Sequence, residues 1–102
     1  MEYFAVIFTS VRSKLDEAGY ADMSDKMAET AKDQPGFIDM ESVRDERGNG
    51  ITVSYWDSLD AIKKWRAHSE HLIAQKMGRE KWYQSFKVRI SKVEREYEFS
   101  SS

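Results

Sequence analysis

The stretch that decides the fold of this chain lies near its start and reads Tyr3-Phe4-Ala5-Val6-Ile7-Phe8-Thr9. Its side chains alternate between two faces, as they do in a β-strand, and both faces carry apolar residues. A strand that is apolar on both faces needs cover on both sides. The sequence therefore predicts a strand in the middle of a sheet, with one layer of packing against each face.

The segment that follows, residues 14–32, has the periodicity of an amphipathic helix lying on this sheet. Its apolar stripe consists of Tyr20, Met23, Met27 and Ala31. The helix is expected to end before Gln34-Pro35-Gly36, because proline cannot continue a helix and glycine permits the reversal of the chain.

A hairpin and a further helical region come next. Residues 37–44 and 51–56 are predicted strands, joined by a turn in which Gly48 and the Asn49-Gly50 step supply positive φ angles. Asp57-Ser58 is a predicted N-cap for a helix that starts near Leu59. A second helical stretch starts near Ser69, and the sequence leaves open whether the joint at residues 68–69 is kinked.

The last predicted strand is long and spans residues 86–99. Its apolar residues change parity, from Phe86, Val88 and Ile90 to Val93, Tyr97 and Phe99. This change predicts a β-bulge or a change of environment near Ser91-Lys92. Because ordinary strands have roughly 5–6 residues, we expect this one to reach beyond its own sheet.

The order βαββαβ predicts an α+β, ferredoxin-like domain with a four-stranded antiparallel sheet and helices on one face. Residues 1–99 are expected to form this single domain, and residues 100–102 a frayed tail. No segment remains to cover the second face of the sheet. We therefore expect a homodimer in which a second copy covers it.

Composition excludes several classes of function. The chain has 102 residues, a net charge of -2 and no cysteine, so nucleic acid is not an expected partner and thiol chemistry is absent. No apolar run approaches the roughly 20 residues of a membrane span. Strand-like sequence starts directly after Met1-Glu2, which predicts no signal peptide and a cytoplasmic location.

The candidate chemistry is concentrated in one polar and aromatic cluster in the second half of the chain. Histidine changes charge near neutral pH and can also bind metals or haem iron. The H-x-x-H spacing lacks a third ligand, so no dedicated metal site is predicted. The alternative to a functional role is that one or both histidines form hydrogen bonds at a surface or at the helix joint. The cluster consists of Trp65-Arg66-Ala67-His68-Ser69-Glu70-His71 and continues to Gln75, Arg79, Trp82 and Tyr83, with Leu72 on the same helix face as Trp65 and His68.

These residues also carry a family resemblance that covers nearly the whole chain. The chain resembles the antibiotic biosynthesis monooxygenase (ABM) domain family in Pro35-Gly36-Phe37, Tyr55-Trp56, Trp65-Arg66-x-His68-Ser69-x-His71, Ala74-Gln75, Gly78-Arg79, Trp82-Tyr83 and Val93-Glu94-Arg95-x-Tyr97. The resemblance implies a dimeric α+β barrel with one pocket in each subunit, between sheet and helices.

The resemblance further implies a monooxygenase that oxidises a small hydrophobic aromatic substrate with dioxygen and requires no cofactor. His68 or His71 would then be the base, and Arg66 or Arg79 would stabilise the resulting anion. The expected pocket wall consists of Phe4, Trp65, Leu72, Gln75, Trp82 and Phe86, with His68.

Two alternatives stay open. The haem-degrading branch of the family would use Trp65 and a haem ligand at His68 or His71, although the first strand lacks the asparagine typical of that branch. The other alternative is a non-catalytic dimeric module, for ligand binding or stress, on the same barrel.

Overall fold

The computed structural model describes residues 2–75 and 81–101, with the backbone alone at residues 74–75. Its elements are β1 (Tyr3–Arg12), α1 (Glu17–Lys32), β2 (Phe37–Arg44), β3 (Asn49–Trp56), α2 (Leu59–Gln75) and β4 (Tyr83–Val93). All neighbouring strands are antiparallel, in the order β2-β3-β1-β4. The predicted α+β ferredoxin-like fold is confirmed, and the first strand does lie inside the sheet.

Local sequence explains where the helices begin. Asp16 is the N-cap of α1 and accepts a hydrogen bond from the Gly19 backbone N–H, although its own φ of 52° is left-handed. Ser58 Oγ accepts from the backbone N–H of Ala61 at 3.1 Å, which confirms it as the cap of α2. The α2 helix then continues through residues 68–69 without interruption.

The hairpin turn is tighter than the prediction. Gly48 has a φ of +92°, as predicted, but Asn49 and Gly50 do not have positive φ and already belong to β3. Asp45 makes this possible because its carboxylate accepts from the backbone N–H groups of Arg47 and Asn49. The Asp45 side chain therefore stabilises this turn, for which the sequence had predicted a positive φ angle at Gly50.

The last strand ends earlier than the sequence predicted. The β4 strand ends at Val93, and residues 94–101 have no regular structure. Its pairing with β1 runs without a slip from Tyr3↔Val93 to Val11↔Ser85, and the register shift lies next to Arg12, at the other end. The predicted bulge at residues 91–92 is wrong, because the apolar residues that changed parity lie mostly beyond the end of the strand.

The core divides into two clusters beneath the helices. One is built around Trp56, which is fully buried, stacks on Trp65 and donates from its indole N–H to Ser54 Oγ at 2.9 Å. The other contains Met23, Leu72 and Trp82. Of the two helices that the structure describes, neither is long and apolar enough to cross a lipid bilayer.

The face of the sheet that points away from the helices is apolar in the middle and charged at its edges. One cross-strand row consists of Glu41, Val53, Ile7 and Arg89, from β2 to β4. Val43 and Ile51, in the next row towards the hairpin, are 70% and 46% exposed. The acidic edge therefore lies on β2 and the basic edge on β4, with an apolar centre between them.

Candidate functional site

A cavity of about 730 Å³ lies between the helices and the sheet. Strand side chains alternate between faces, so every second residue of each strand points into this space. The resulting floor is mainly apolar and contains Val6, Phe8, Met40, Phe86, Val88 and Ile90.

The two helices form the roof of the cavity. Met23 and Met27 border it from α1, and Ile62 and Trp65 from α2. Trp65 is only 7% exposed, and its ring lies 5.7 Å from that of Trp56. The roof is therefore held by the same packing that forms the core.

One flank of the cavity is open. The two helices pack mainly over β2 and β3, and the apolar side chains on the β4 side stay partly uncovered. Phe86, Val88 and Ile90 are 41%, 39% and 44% exposed. A flat hydrophobic molecule entering along β4 would meet this apolar edge first.

The structure separates the two histidines that the sequence could not distinguish. His71 borders the cavity, one helical turn after Ala67. His68 is exposed, lies outside the cavity, and has its ring 6.1 Å from that of Trp65. Both histidines are exposed, and of the two only His71 borders this cavity.

The structure describes the predicted arginines and the predicted glutamine to different extents. Arg66 borders the cavity, and its Nε atom lies 3.1 Å from Glu70 Oε1 in an ion pair one turn along the helix. Gln75 is the last residue of α2, and its side chain lies outside the described part of the structure. Arg79 lies wholly outside the described residues.

Three residues expected in the pocket wall pack elsewhere. Phe4 packs against the Trp56 cluster, whereas Leu72 and Trp82 are buried in the Met23 cluster. None of the three borders the cavity. The helical spacing brought them close to the site, but their side chains fill the protein interior. Trp65 and Phe86 do border the cavity.

The hairpin end of the cavity carries two tyrosines, Tyr20 and Tyr83. Burial raises the pKa of Tyr83 far above its usual value of 10.0. The charge of Tyr20 and its hydrogen bond to Tyr83 raise this pKa further. Tyr83 therefore keeps its proton and stays a neutral hydroxyl donor at physiological pH.

Arginines surround Tyr20. The guanidinium carbon of Arg12 lies 3.6 Å from the centre of its ring, and Arg44 Nη2 donates to its hydroxyl at 2.9 Å. The helical periodicity placed Tyr20 only in the apolar stripe of α1, and no sequence pattern singled out either arginine. Arg44 is the last residue of β2 and follows Met40 by four residues. Because side chains alternate along a strand, this spacing places Arg44 on the same, helix-facing side of the sheet as Met40, and the sequence alone indicates it.

Metal binding finds no support in the described residues, where no group of three or more histidine, cysteine, aspartate or glutamate side chains could hold an ion. The cavity instead combines apolar surface, one histidine, an Arg66–Glu70 ion pair and a pair of tyrosines beside two arginines. This combination suits a flat organic molecule with few polar groups.

Comparisons with known proteins agree with this fold. The chain is 52% identical to the uncharacterized protein YqjZ of Bacillus subtilis over 100 residues, which cover 98% of this chain and 87% of that protein. Among solved structures, it matches a mutant of SnoaB, a cofactor-independent oxygenase from Streptomyces nogalater, with a TM-score of 0.69 and 16% identity, over 93% and 95% of the two chains.

A third similar structure is that of Rv0793 from Mycobacterium tuberculosis, with a TM-score of 0.70 and 16% identity over 96% of this chain and 99% of the other. At such identities these two structures establish the fold alone. The family model of antibiotic biosynthesis monooxygenases, however, matches residues 3–77 of this chain. Together with the βαββαβ fold, this match shows that the chain belongs to the antibiotic biosynthesis monooxygenase family.

Proposed function

We propose that this protein is a monooxygenase that oxidises a small hydrophobic aromatic molecule with dioxygen inside the cavity between sheet and helices. The observation that carries the proposal is the cavity itself, in which an apolar floor lies opposite Trp65 and His71. Family membership supports the reaction class. The cavity supports the size and apolar character of the substrate.

His71 is the base in this proposal. Its imidazole accepts the proton of a phenolic O–H group, so that this O–H bond breaks and the electron pair stays on the ring as a phenolate. An electron-rich anion of this kind can itself reduce dioxygen. One oxygen atom then becomes a carbonyl oxygen on a ring carbon, and the other leaves as water together with the one hydrogen of that carbon and the phenolic proton that His71 accepted.

Cationic side chains stabilise the anion. Of the two arginines that the sequence predicted for this role, Arg66 is the one that the structure describes, and it borders the cavity. Its pairing with Glu70 holds the guanidinium beside the roof but also offsets part of its charge. Arg66 therefore orients and moderately stabilises the substrate in this proposal, and Trp65 supplies the aromatic surface beside it.

Dioxygen consumption tests the reaction directly. The purified protein is mixed with a panel of hydroquinones and anthrones in an oxygen electrode, and the products are identified by mass spectrometry with ¹⁸O₂. We expect one labelled oxygen in the product and one in water. Absence of turnover over the whole panel, with tight binding of the same compounds, would instead favour the non-catalytic module.

Haem oxidation is the second candidate, and the position of His71 at the cavity is the observation that favours it. In this candidate His71 would hold the haem iron, whereas the His68 ring lies outside the cavity. Haem would supply oxygen activation in that case. Titration with haemin tests this candidate: a Soret band that disappears in His71→Ala but persists in His68→Ala would support it.

We propose further that the protein acts as a homodimer in which the apolar sheet faces pack together. A two-fold axis parallel to the strands places the β2 edge of one sheet over the β4 edge of the other. Glu41 of each subunit then faces Arg89 of its partner across the apolar centre around Ile7 and Val53. Shape and charge therefore both favour a second copy as the cover.

A further inference from the structure

Positive charge that the proposed reaction does not use lies beside the hairpin end of the cavity. Arg44, Ser10 and Gly50 border an adjoining open groove of about 660 Å³, and Phe86 borders both the groove and the cavity. Arg44 at the end of β2 lies opposite Gly50 on β3, and Gly50 lies opposite Ser10 on β1. The Arg44 side chain crosses over β3 along this row. Its Nη2 atom donates to the buried Ser10 Oγ at 3.0 Å and to the Tyr20 hydroxyl at 2.9 Å.

Gly50 is what permits this crossing. A Cβ atom at position 50 would lie 2.5 Å from the guanidinium carbon of Arg44, which is far inside van der Waals contact. Gly50 has no positive φ that would otherwise require glycine. The absence of a side chain at position 50 therefore leaves room for the guanidinium. The hydrogen bond from Arg44 to Ser10 depends on this space.

A second guanidinium reaches the same tyrosine. Arg12 stacks on the Tyr20 ring at 3.6 Å and donates from Nε to the Trp82 carbonyl oxygen at 3.1 Å. Tyr20 therefore has two cations around it, and both also act electrostatically on Tyr83, which borders the cavity. Hydrogen bonds to backbone oxygens and hydroxyl groups hold these guanidiniums in place without neutralising them.

The carboxylate that borders the groove with Arg44 belongs to Asp45, and it is engaged by N–H groups of Arg47 and Asn49 in the hairpin turn. Within residues 2–75 and 81–101, neither Arg12 nor Arg44 forms an ion pair. Among the described residues that border the cavity, the one carboxylate belongs to Glu70, and it is paired with Arg66. The positive charges of Arg12 and Arg44 beside the cavity therefore have no ion-pair partner among the described residues.

An aromatic surface leads to this charge along the floor. Phe8 and Phe86 stack with ring centres 5.5 Å apart, and Phe8 meets Tyr83 edge to face at 5.6 Å. A planar ring lying on Phe8 would thus direct a substituent towards Tyr20 and Arg44. Apolar surface followed by guanidinium groups is the pattern that recognises an aromatic acid.

We propose that Arg44, supported by Arg12 and Tyr20, binds a carboxylate of the substrate, so that the substrate class is an aromatic acid. This inference rests on the proposed function, because it assigns the ligand of the same cavity. The ring of the acid lies over Phe8 and Phe86. Its carboxylate lies in the adjoining groove and accepts hydrogen bonds from the Nε–H of Arg44 and from the Nη1 hydrogen that does not bind the Gly48 carbonyl oxygen, because Ser10 and Tyr20 use both hydrogens of Nη2.

Isothermal titration calorimetry with two matched probes tests the assignment. The probes are 2-naphthoate and the neutral 2-naphthalenemethanol, which share the ring and differ in the charge. We expect the naphthoate to bind about tenfold or more tightly, the effect of a charge-assisted hydrogen bond. Its affinity should fall with added salt, and that of the alcohol should not.

Three variants locate the effect. Arg44→Gln should reduce the preference for naphthoate to within about twofold. Gly50→Ala keeps the charge but displaces the guanidinium, and it should reduce the preference as well. Arg47→Gln is the control: it removes the same charge from the exposed hairpin turn, and the preference should be unchanged.

The outcomes separate the two proposals. Binding of neither probe contradicts the aromatic cavity and hence the proposed function together with this inference. Equal binding of both probes by the wild-type protein overturns the inference alone. A preference for naphthoate that persists in both Arg44→Gln and Gly50→Ala also overturns it, because the cation would then lie elsewhere.

Discussion

The indole N–H of Trp82 donates to the carboxylate of Asp16 at 3.1 Å, which joins the residue before β4 to the N-cap of α1 across 66 positions of the chain. Lys81 adds an ion pair to the same carboxylate at 3.4 Å. The indole hydrogen bond is the largest of the contacts that lower the pKa of Asp16 below its usual 3.8. The Asp16 carboxylate therefore binds both Gly19 in its own helix and Trp82 and Lys81 far along the chain.

The first prediction concerns the stability of the protein as a function of pH. Asp16→Asn keeps the shape of the cap and tolerates the left-handed φ, but it removes the charge. Because the folded-state pKa is lowered, the charge stabilises the fold above about pH 3.8 and this contribution disappears as pH falls through the folded-state pKa. Urea unfolding should show the variant to be less stable at pH 7.

The same measurement at acidic pH provides the control. The difference between Asp16→Asn and the wild-type protein should shrink as the pH falls below 3.8 towards the lowered folded-state pKa, at which Asp16 takes up a proton. A difference that stays constant from pH 7 to pH 3 would show that the charge of Asp16 is not what stabilises this junction.

Gly19→Ala is predicted to destabilise the protein although it lies in a helix. Alanine normally stabilises a helix over glycine by about 0.8–1.0 kcal/mol. Here the new Cβ would lie 2.0 Å from Asp16 Oδ2, so the carboxylate must leave its place. In an Asp16→Ala background this clash is gone, and Gly19→Ala should be stabilising in the same unfolding assay. Stabilisation in both backgrounds would contradict the prediction.

Ser54→Ala should cost about 1–3 kcal/mol of unfolding free energy, because it leaves the buried Trp56 indole N–H without its acceptor. Ser54 is 3% exposed and Trp56 is fully buried. Ser42→Ala is the matched control, since its hydroxyl pairs with Thr52 Oγ1 at an exposed position. Equal losses in the two variants, measured by chemical denaturation, would argue against a special cost of the buried indole.

Catalysis should depend on one histidine of the two. With a substrate found in the oxygen assay, His71→Gln is expected to lower kcat by about 10²–10⁴-fold through loss of the base. His68→Gln should change kcat little, because His68 lies outside the cavity. If the two variants lose activity equally, or His68→Gln loses more, then the assignment of the base to His71 is wrong.

The dimer should depend on the charges at the edges of the open sheet face. Glu41→Arg places like charges opposite each other in the proposed arrangement and should shift sedimentation velocity towards the monomer. The double variant Glu41→Arg with Arg89→Glu restores opposite charges and should restore the dimer. Leu59→Glu, at a position 56% exposed on α2, is the control. Unchanged sedimentation of Glu41→Arg would contradict the proposed axis.

The sequence by itself determined the fold and the general location of the site. The two-sided apolar pattern of residues 3–9, the Ser58 cap and the glycine at position 48 each act over a few residues, and such local rules can be read from the chain. The end of β4 could not be read in this way. Apolar residues continue to Phe99, but a strand ends where its partner ends, and β1 begins at Tyr3.

Only the tertiary structure decided which side chains meet at the cavity. His68 and His71 are equivalent in sequence, and the packing of α2 on the sheet separates them. Leu72 and Trp82 show helical spacing towards the site but fill the core. Arg12, Tyr20 and Arg44 come from three different elements, and their meeting depends on strand register and on the space above Gly50. Contacts between distant segments follow from packing, which no local pattern records.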